Sequence, residues 1–197
     1  MTTLASDRPS ILRPLAAAIL VAALMTAVLG YQIERRAGIL RSGTEVLLAT
    51  EPVDPRDLLR GDYVVLTYPV SLVPFSEVKG ARPMKAGRTV LWIRLAPGAD
   101  GLWTRTEASF SELPQQDGTV VLKSLPFEIH GWEGEGDSYR ADFGIERFYL
   151  PEGEGLEIEA ARNDSRVTMA IRVAEDGRAQ VRTLFIDGKP VYSDPLY

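Results

Sequence analysis

Residues Arg166–Val191, RVTMAIRVAEDGRAQVRTLFIDGKPV, decide the fold class of the chain. Two alternating runs, Arg166–Val173 and Gln180–Ile186, flank a turn at Glu175-Asp176-Gly177. Alternation with period two marks strands with one face buried and one in water. Asp-Gly between two such runs signals a hairpin, because both residues tolerate the positive φ that tight β-turns need. Asp187-Gly188 repeats the signal before Val191-Tyr192. The C-terminal third therefore reads as an antiparallel meander.

Toward the N-terminus the same period continues. Glu45–Thr50, Asp62–Val70, Arg88–Leu95, Leu102–Phe110 and Thr119–Leu122 read as strands, with a turn at Pro97–Gly101. Residues 74–86 hold two Pro and a Gly and read as a loop or edge excursion. One soluble helix is expected over 151–162. It has Pro151 at its first position, Glu152, Glu154 and Glu157 at the positive end of its dipole, and Arg162-Asn163 at its close. No internal repeat interrupts the pattern.

The N-terminus follows a different rule. Between Arg13 and Glu34 lie 20 residues without a formal charge, Pro14 and then LAAAILVAALMTAVLGYQI from Leu15 to Ile33. As a helix such a run rises about 30 Å, the thickness of a bilayer's hydrocarbon core. In lipid every backbone amide must pair within its own segment, so a helix is the form expected. Pro14 suits the first turn, and Tyr31 stands where an interfacial aromatic belongs. The helix is expected to continue through Glu34–Arg41 and to stop at Ser42-Gly43, with Arg35, Arg36 and Arg41 either reaching lipid phosphates or solvating the helix end. Arg8 and Arg13 would suit the basic start of a cleaved signal peptide. The apolar run is long for that role and Val28-Leu29-Gly30 makes a poor cleavage site, so a retained anchor is expected.

The overall expectation is a mainly β (α+β) chain in three parts. These are a tail (1–13), a transmembrane helix with juxtamembrane extension (14–42), and one mostly antiparallel β domain (43–197) with a short helix near 151–162. The lipid bilayer is the partner of residues 14–33. Positive charge is nearly balanced across the span, with Arg8 and Arg13 before it and Arg35, Arg36 and Arg41 after it. A short cytoplasmic tail with the large domain exported is the orientation expected of an uncleaved signal-anchor.

Composition excludes several chemistries. The chain has no Cys and one His, His130, which removes disulfides, thiolate zinc sites, cysteine nucleophiles and any site needing two imidazoles. Residues 1–41 hold five of the 22 bases and two of the 27 acids, which leaves the remainder with 17 bases, 25 acids and a net charge of −8. A domain this acidic is a poor binder of nucleic acid, and none is expected as a partner.

Two blocks stand out. In the first, Pro52–Tyr68, Asp54 caps a helical turn with Pro55 at its first position and Asp57 at its third, Arg60 sits at the negative end, and Gly61 ends the turn. The chain then extends, with Tyr63, Val65 and Thr67 on one face and Val64, Leu66 and Tyr68 on the other. The second block is Phe143–Gly155, FGIERFYLPEGEG. As one strand it would place Glu146 and Arg147 on opposite faces before the helix at Pro151. Gly153 and Gly155 near a helix start suggest a phosphate cradle. Three acids crowd the same turn and the third glycine of a dinucleotide fingerprint is missing, so no nucleotide and no other cofactor is expected.

Gly61-Asp62-Tyr63-Val64-Val65-Leu66-Thr67-Tyr68 resembles, at every specified position, the signature of the bacterial GDYXXLXY family. Phe143–Gly155 and Leu184–Val191 are similar to that family's later blocks. The resemblance implies a membrane-anchored protein of the bacterial inner membrane with a polytopic membrane protein as partner, and it brings no reaction with it. The candidate binding or motif residues of the two blocks are Asp54, Asp57, Arg60, Gly61, Asp62, Tyr63, Leu66, Tyr68, Glu146, Arg147, Gly153 and Gly155.

The chemistry of the residues leaves one enzymatic alternative, a membrane-anchored hydrolase that is signal-peptidase-like or uses Asp54, Asp57 or Asp62 as general base. A Ser–Lys dyad is not evident, since Lys79, Lys85, Lys123 and Lys189 lie in no recognisable context and no Ser precedes Gly61 in its block. A triad would have only His130 to draw on. The acids at 54, 57 and 62, and those at 133, 135 and 137, match no EF-hand loop and read as exposed turns. The expectation is a non-enzymatic accessory protein that binds a membrane or envelope partner, with no catalytic residues and no metal.

Overall fold

The structure, a computed structural model, describes residues 12–52, 63–80, 87–129, 137–149 and 155–194. The chain divides into two compact units, Met1–Ala37 and Gly38–Tyr197. The first is helix α1 (Leu12–Ser42), whose last turn belongs to the second unit. Its side chains from Pro14 to Arg36 are exposed on every face, Leu15 to 53% and Ile33 to 64%. Pro14–Ser42 is long and apolar enough to cross a membrane.

The second unit is a mostly antiparallel β domain with one short helix among the described residues. In chain order its strands are β1 (Thr44–Ala49), β2 (Tyr63–Val65), β3 (Leu72–Pro74), β4 (Val78–Lys79), β5 (Gly87–Thr89), β6 (Trp92–Pro97) and β7 (Trp103–Ser109). Then follow β8 (Val120–Lys123), β9 (Phe127–Ile129), β10 (Ser138–Arg140), β11 (Arg147–Tyr149), helix α2 (Gly155–Asn163), β12 (Val167–Val173), β13 (Ala179–Ile186) and β14 (Lys189–Ser193). One sheet runs β1-β12-β13-β14 and another β4-β7-β6-β8, while β2–β11, β3–β10 and β5–β9 form two-stranded ribbons. Among the described residues only β4 with β7 is parallel.

The meander forms as its turns dictate. Asp187 and Gly188 adopt φ of 51° and 73°, the two-residue turn whose twist matches its strands, and Ile186 faces Lys189 across it. The first strand of the domain then pairs with the meander: Val46 faces Ile171, Leu48 faces Met169, and Met169 faces Leu184 on the next strand. All five are buried in one core shared with Ile93, Leu95 and Leu122 of the second sheet. On the other face of β6 and β8, Trp92 and Val121 pack with Leu113. Beside them Arg94, 3% exposed, donates to Glu107, Thr119 Oγ1 and Pro114 O at 3.0, 3.1 and 2.8 Å, holding the 110–119 loop against the sheet.

Three expected elements differ. Arg88–Leu95 is two strands, because Leu91 exchanges hydrogen bonds with Ser124 (Leu91 N–H to Ser124 Oγ, Ser124 N–H to Leu91 O, both 2.8 Å) where the chain passes from one partner to another. Asp62–Val70 is a strand only over Tyr63–Val65 in the described residues and ends in a 3₁₀ turn at Pro69–Ser71, where proline brings no N–H to a ladder. Phe143–Leu150 is a strand only over Arg147–Tyr149 in the described residues. The 74–86 excursion holds a 3₁₀ turn at Phe75–Glu77 and the edge strand β4. Helix α2 is described from Gly155, and the expected start at Pro151 lies outside the described residues.

Candidate functional site

The two conspicuous blocks lie side by side. Tyr63 faces Tyr149 and Val65 faces Arg147, while farther along Leu72 faces Arg140 and Pro74 faces Ser138. The stretches 63–74 and 138–149 are equal in length, so both ribbons share one register. They form a single antiparallel ladder whose middle has opened. Leu66 N–H to Glu146 O at 2.8 Å carries the ladder in from one side, and Ala141 N–H to Ser71 O at 2.9 Å from the other. Thr67 accepts from Glu51 N–H at 2.8 Å, which ties the first block to the chain just beyond β1.

Motif side chains fill the gap. Val64, Leu66 and Tyr68 point into the core, as the alternation requires. Tyr68 is fully buried, and its hydroxyl donates to Ile145 O at 2.8 Å. Burial, with the Glu146 charge adding to it, raises the Tyr68 hydroxyl well above the ordinary tyrosine value. Opposite, the chain turns at Phe143–Glu146 with Gly144 at φ 79°, a conformation costly to residues with a Cβ. The Glu146 carboxylate closes that turn, accepting Phe143 N–H at 2.6 Å and Gly144 N–H at 2.8 Å. Burial holds its carboxyl above the usual carboxylate range, aided by Asp142 and opposed by those backbone donors. The expected single strand carrying Glu146 and Arg147 on opposite faces is thereby corrected: Glu146 precedes the strand, and where the ladder parts its carboxylate turns back to accept from two amides.

Helix α2 braces the first block. Ile158 and Ala161 are buried in the core. Arg162, 3% exposed, donates from Nη1 to Val65 O at 2.8 Å and from Nη2 to Asn163 Oδ1 at 3.2 Å. Sequence reasoning treated Arg162 only as a helix end. The available signal was its spacing after Ile158 and Ala161, which puts it beside the buried stripe.

What remains outward is the other face of the β2–β11 ribbon. It carries Arg147, exposed, with Val65 at 37% and Tyr149 at 71% exposure. Gly155 begins α2. Asp54, Asp57, Arg60, Gly61, Asp62 and Gly153 lie outside the described residues, as do His130, Glu133 and Glu135. Among the described residues no three His, Asp or Glu stand close enough to hold a metal ion.

A long exposed apolar helix and a β domain sewn together along one split ladder define the class: a β-rich domain on an N-terminal candidate membrane anchor. The chain belongs to the GDYXXLXY protein family, whose model matches residues 25–184, from within α1 to the middle strand of the meander. No curated protein and no solved structure matches the chain.

Proposed function

We propose that this protein is a membrane-anchored, non-enzymatic accessory protein of the bacterial inner membrane, its β domain exported and binding a polytopic membrane protein. The observation that carries the reading is how the motif's polar groups are used. The Tyr68 hydroxyl and both Glu146 carboxylate oxygens are engaged by the chain's own backbone, so they build a surface rather than offer an acid or a base. A general acid or base must reach the proton it moves. The surface they build presents Arg147 and Tyr149 beside Val65, and Tyr and Arg are the residue types enriched at the energetic centres of interfaces. The charge-free run supplies the anchor, since its exposed apolar side chains have lipid as their natural solvent.

The test is photo-cross-linking from position 149 in native membranes. A single polytopic protein captured by the intact chain and lost with Arg147→Ala is the expected result. An unchanged set of captured proteins overturns this face as the contact. For orientation, alkaline phosphatase fused after Tyr197 is expected to be active, and a cytoplasmic reporter at the same place silent.

A further inference from the structure

The split ladder keeps one face in the core along its whole length, because both strands change step at the opening. On the first strand Val64, Leu66, Tyr68 and Val70 are followed by Val73, and on the second Ala141, Phe143 and Ile145 are followed by Phe148. All of them lie in one core. The change of step falls at the 3₁₀ turn of Pro69–Ser71 on one strand and beside the turn closed by Glu146 on the other. Without it, half of this apolar row would have turned into water.

The outer face is therefore continuous too. It carries Val65, Arg147 and Tyr149 toward one end and Leu72, Arg140 and Asp142 toward the other, all exposed. Ala141 N–H reaches Ser71 O on one side of the second strand, and Leu125 N–H reaches Asp142 O on the other side, at 2.6 Å. Leu72 and Leu125, 43% and 51% exposed, thus flank Arg140 and Asp142. The exposed large apolar residues of the β domain, among those described, are Val65, Leu72, Leu125, Tyr149 and Val191. All but Val191 border this ladder, and apolar residues gathered in this way mark a contact surface.

Arg140 and Asp142 point the same way, about 7 Å apart along the strand. Neither side chain has a hydrogen bond or ion pair among the described residues. The other charges nearby are engaged. Glu146 accepts from two backbone amides, Glu77 pairs with Arg105 at 2.7 Å, and Arg147 has a partner of its own. Asp142 adds its charge to that of Glu146, and Asp137, exposed, stands at the end of the row beyond Ser138.

We infer that this end of the face binds a second copy of the chain. A two-fold axis lying across the strand at Ala141 exchanges the two charged positions. Arg140 of each copy then meets Asp142 of the other, and the pair is made twice. Leu72 and Leu125 flank these pairs and shield them from water, in which an exposed pair contributes little. The charge pattern that suits this patch is its own, since a purely acidic partner would meet Asp142 and Asp137 and a purely basic one Arg140. Arg147 and Tyr149 lie farther along the face, so this contact and the membrane partner proposed above stand or fall separately.

Sedimentation equilibrium of the full chain in density-matched detergent measures the association. Arg140→Asp or Asp142→Arg alone sets like charges against each other twice in the dimer, and either should weaken association by roughly tenfold or more. Both substitutions together restore opposite charges and should recover the wild-type association. Neither misfolding nor pairing through the apolar helix would give that rescue. A wild-type chain that is monomeric at every concentration, single variants that associate as wild type does, or a double variant no better than the singles overturns the inference.

Discussion

Replacing Tyr68 by Phe tests whether the split ladder is held together from inside. The ring stays, and only the hydroxyl that donates to Ile145 O at 2.8 Å is lost. A buried hydrogen bond is worth about 1 kcal/mol net, and a buried carbonyl left without its donor costs about 1–3 kcal/mol. We therefore expect a loss of about 1.5 kcal/mol, which for a domain of this size lowers Tm by roughly 3–6 °C. Thermal denaturation of the full chain in detergent, followed by circular dichroism, measures it. Tyr149→Phe, at 71% exposure, is the control and should move stability by less than about 0.5 kcal/mol. Titration gives a second readout. The hydroxyl is raised well above its ordinary value in the folded chain, so the folded state keeps a proton that the unfolded state releases near pH ~10. Wild type should lose its advantage over Tyr68→Phe as pH climbs past that point. A variant that melts with wild type, with no narrowing in alkali, would refute the reasoning.

Other consequences follow from the same geometry. Gly177→Ala should cost about 2–4 kcal/mol, combining left-handed backbone strain with overpacking, since the new Cβ would lie 2.9 Å from Lys123 Cβ and 3.1 Å from Trp92 Cζ3. Gly118→Ala, at φ 73° with nothing within 4 Å, should show the strain alone, about 1–2 kcal/mol, when both variants are unfolded with urea. Because the Glu146 carboxyl is raised on folding, its contribution is fullest below the unfolded carboxylate value of about 4.3 and fades as pH rises through the folded value. The stability gap between wild type and Glu146→Ala should therefore narrow from pH 4 to pH 7. Arg162→Ala opens a buried space and should cost about 2–4 kcal/mol. Arg162→Met keeps the volume, removes a buried charge and should stay within about 1.5 kcal/mol of wild type, as chemical denaturation will show.

The N-terminal helix, the C-terminal meander and the alternation of Val64, Leu66 and Tyr68 were all legible in the amino-acid order. Each depends on neighbours: twenty residues without charge, Asp-Gly between alternating runs, period two along one short stretch. Sterics and solvent act on such patterns within a few residues, so local order suffices to determine them. Partnership was not legible. Period two ran unbroken through Arg88–Leu95 although the chain changes partner at Leu91. Nothing in the order of residues told that Thr44–Ala49 would pair with Val167–Val173, or that Gly61–Tyr68 and Phe143–Gly155 would meet. The role of Glu146 turned on that meeting. One continuous strand would have used its backbone in the ladder, but Glu146 lies before the strand at Arg147–Tyr149, where the ladder opens and its carboxylate takes the amides of Phe143 and Gly144. Local periodicity decides which face of a segment is buried. Which segments bury one another, and which polar groups their junction leaves to be satisfied, is decided only when distant parts of the chain are packed into one core.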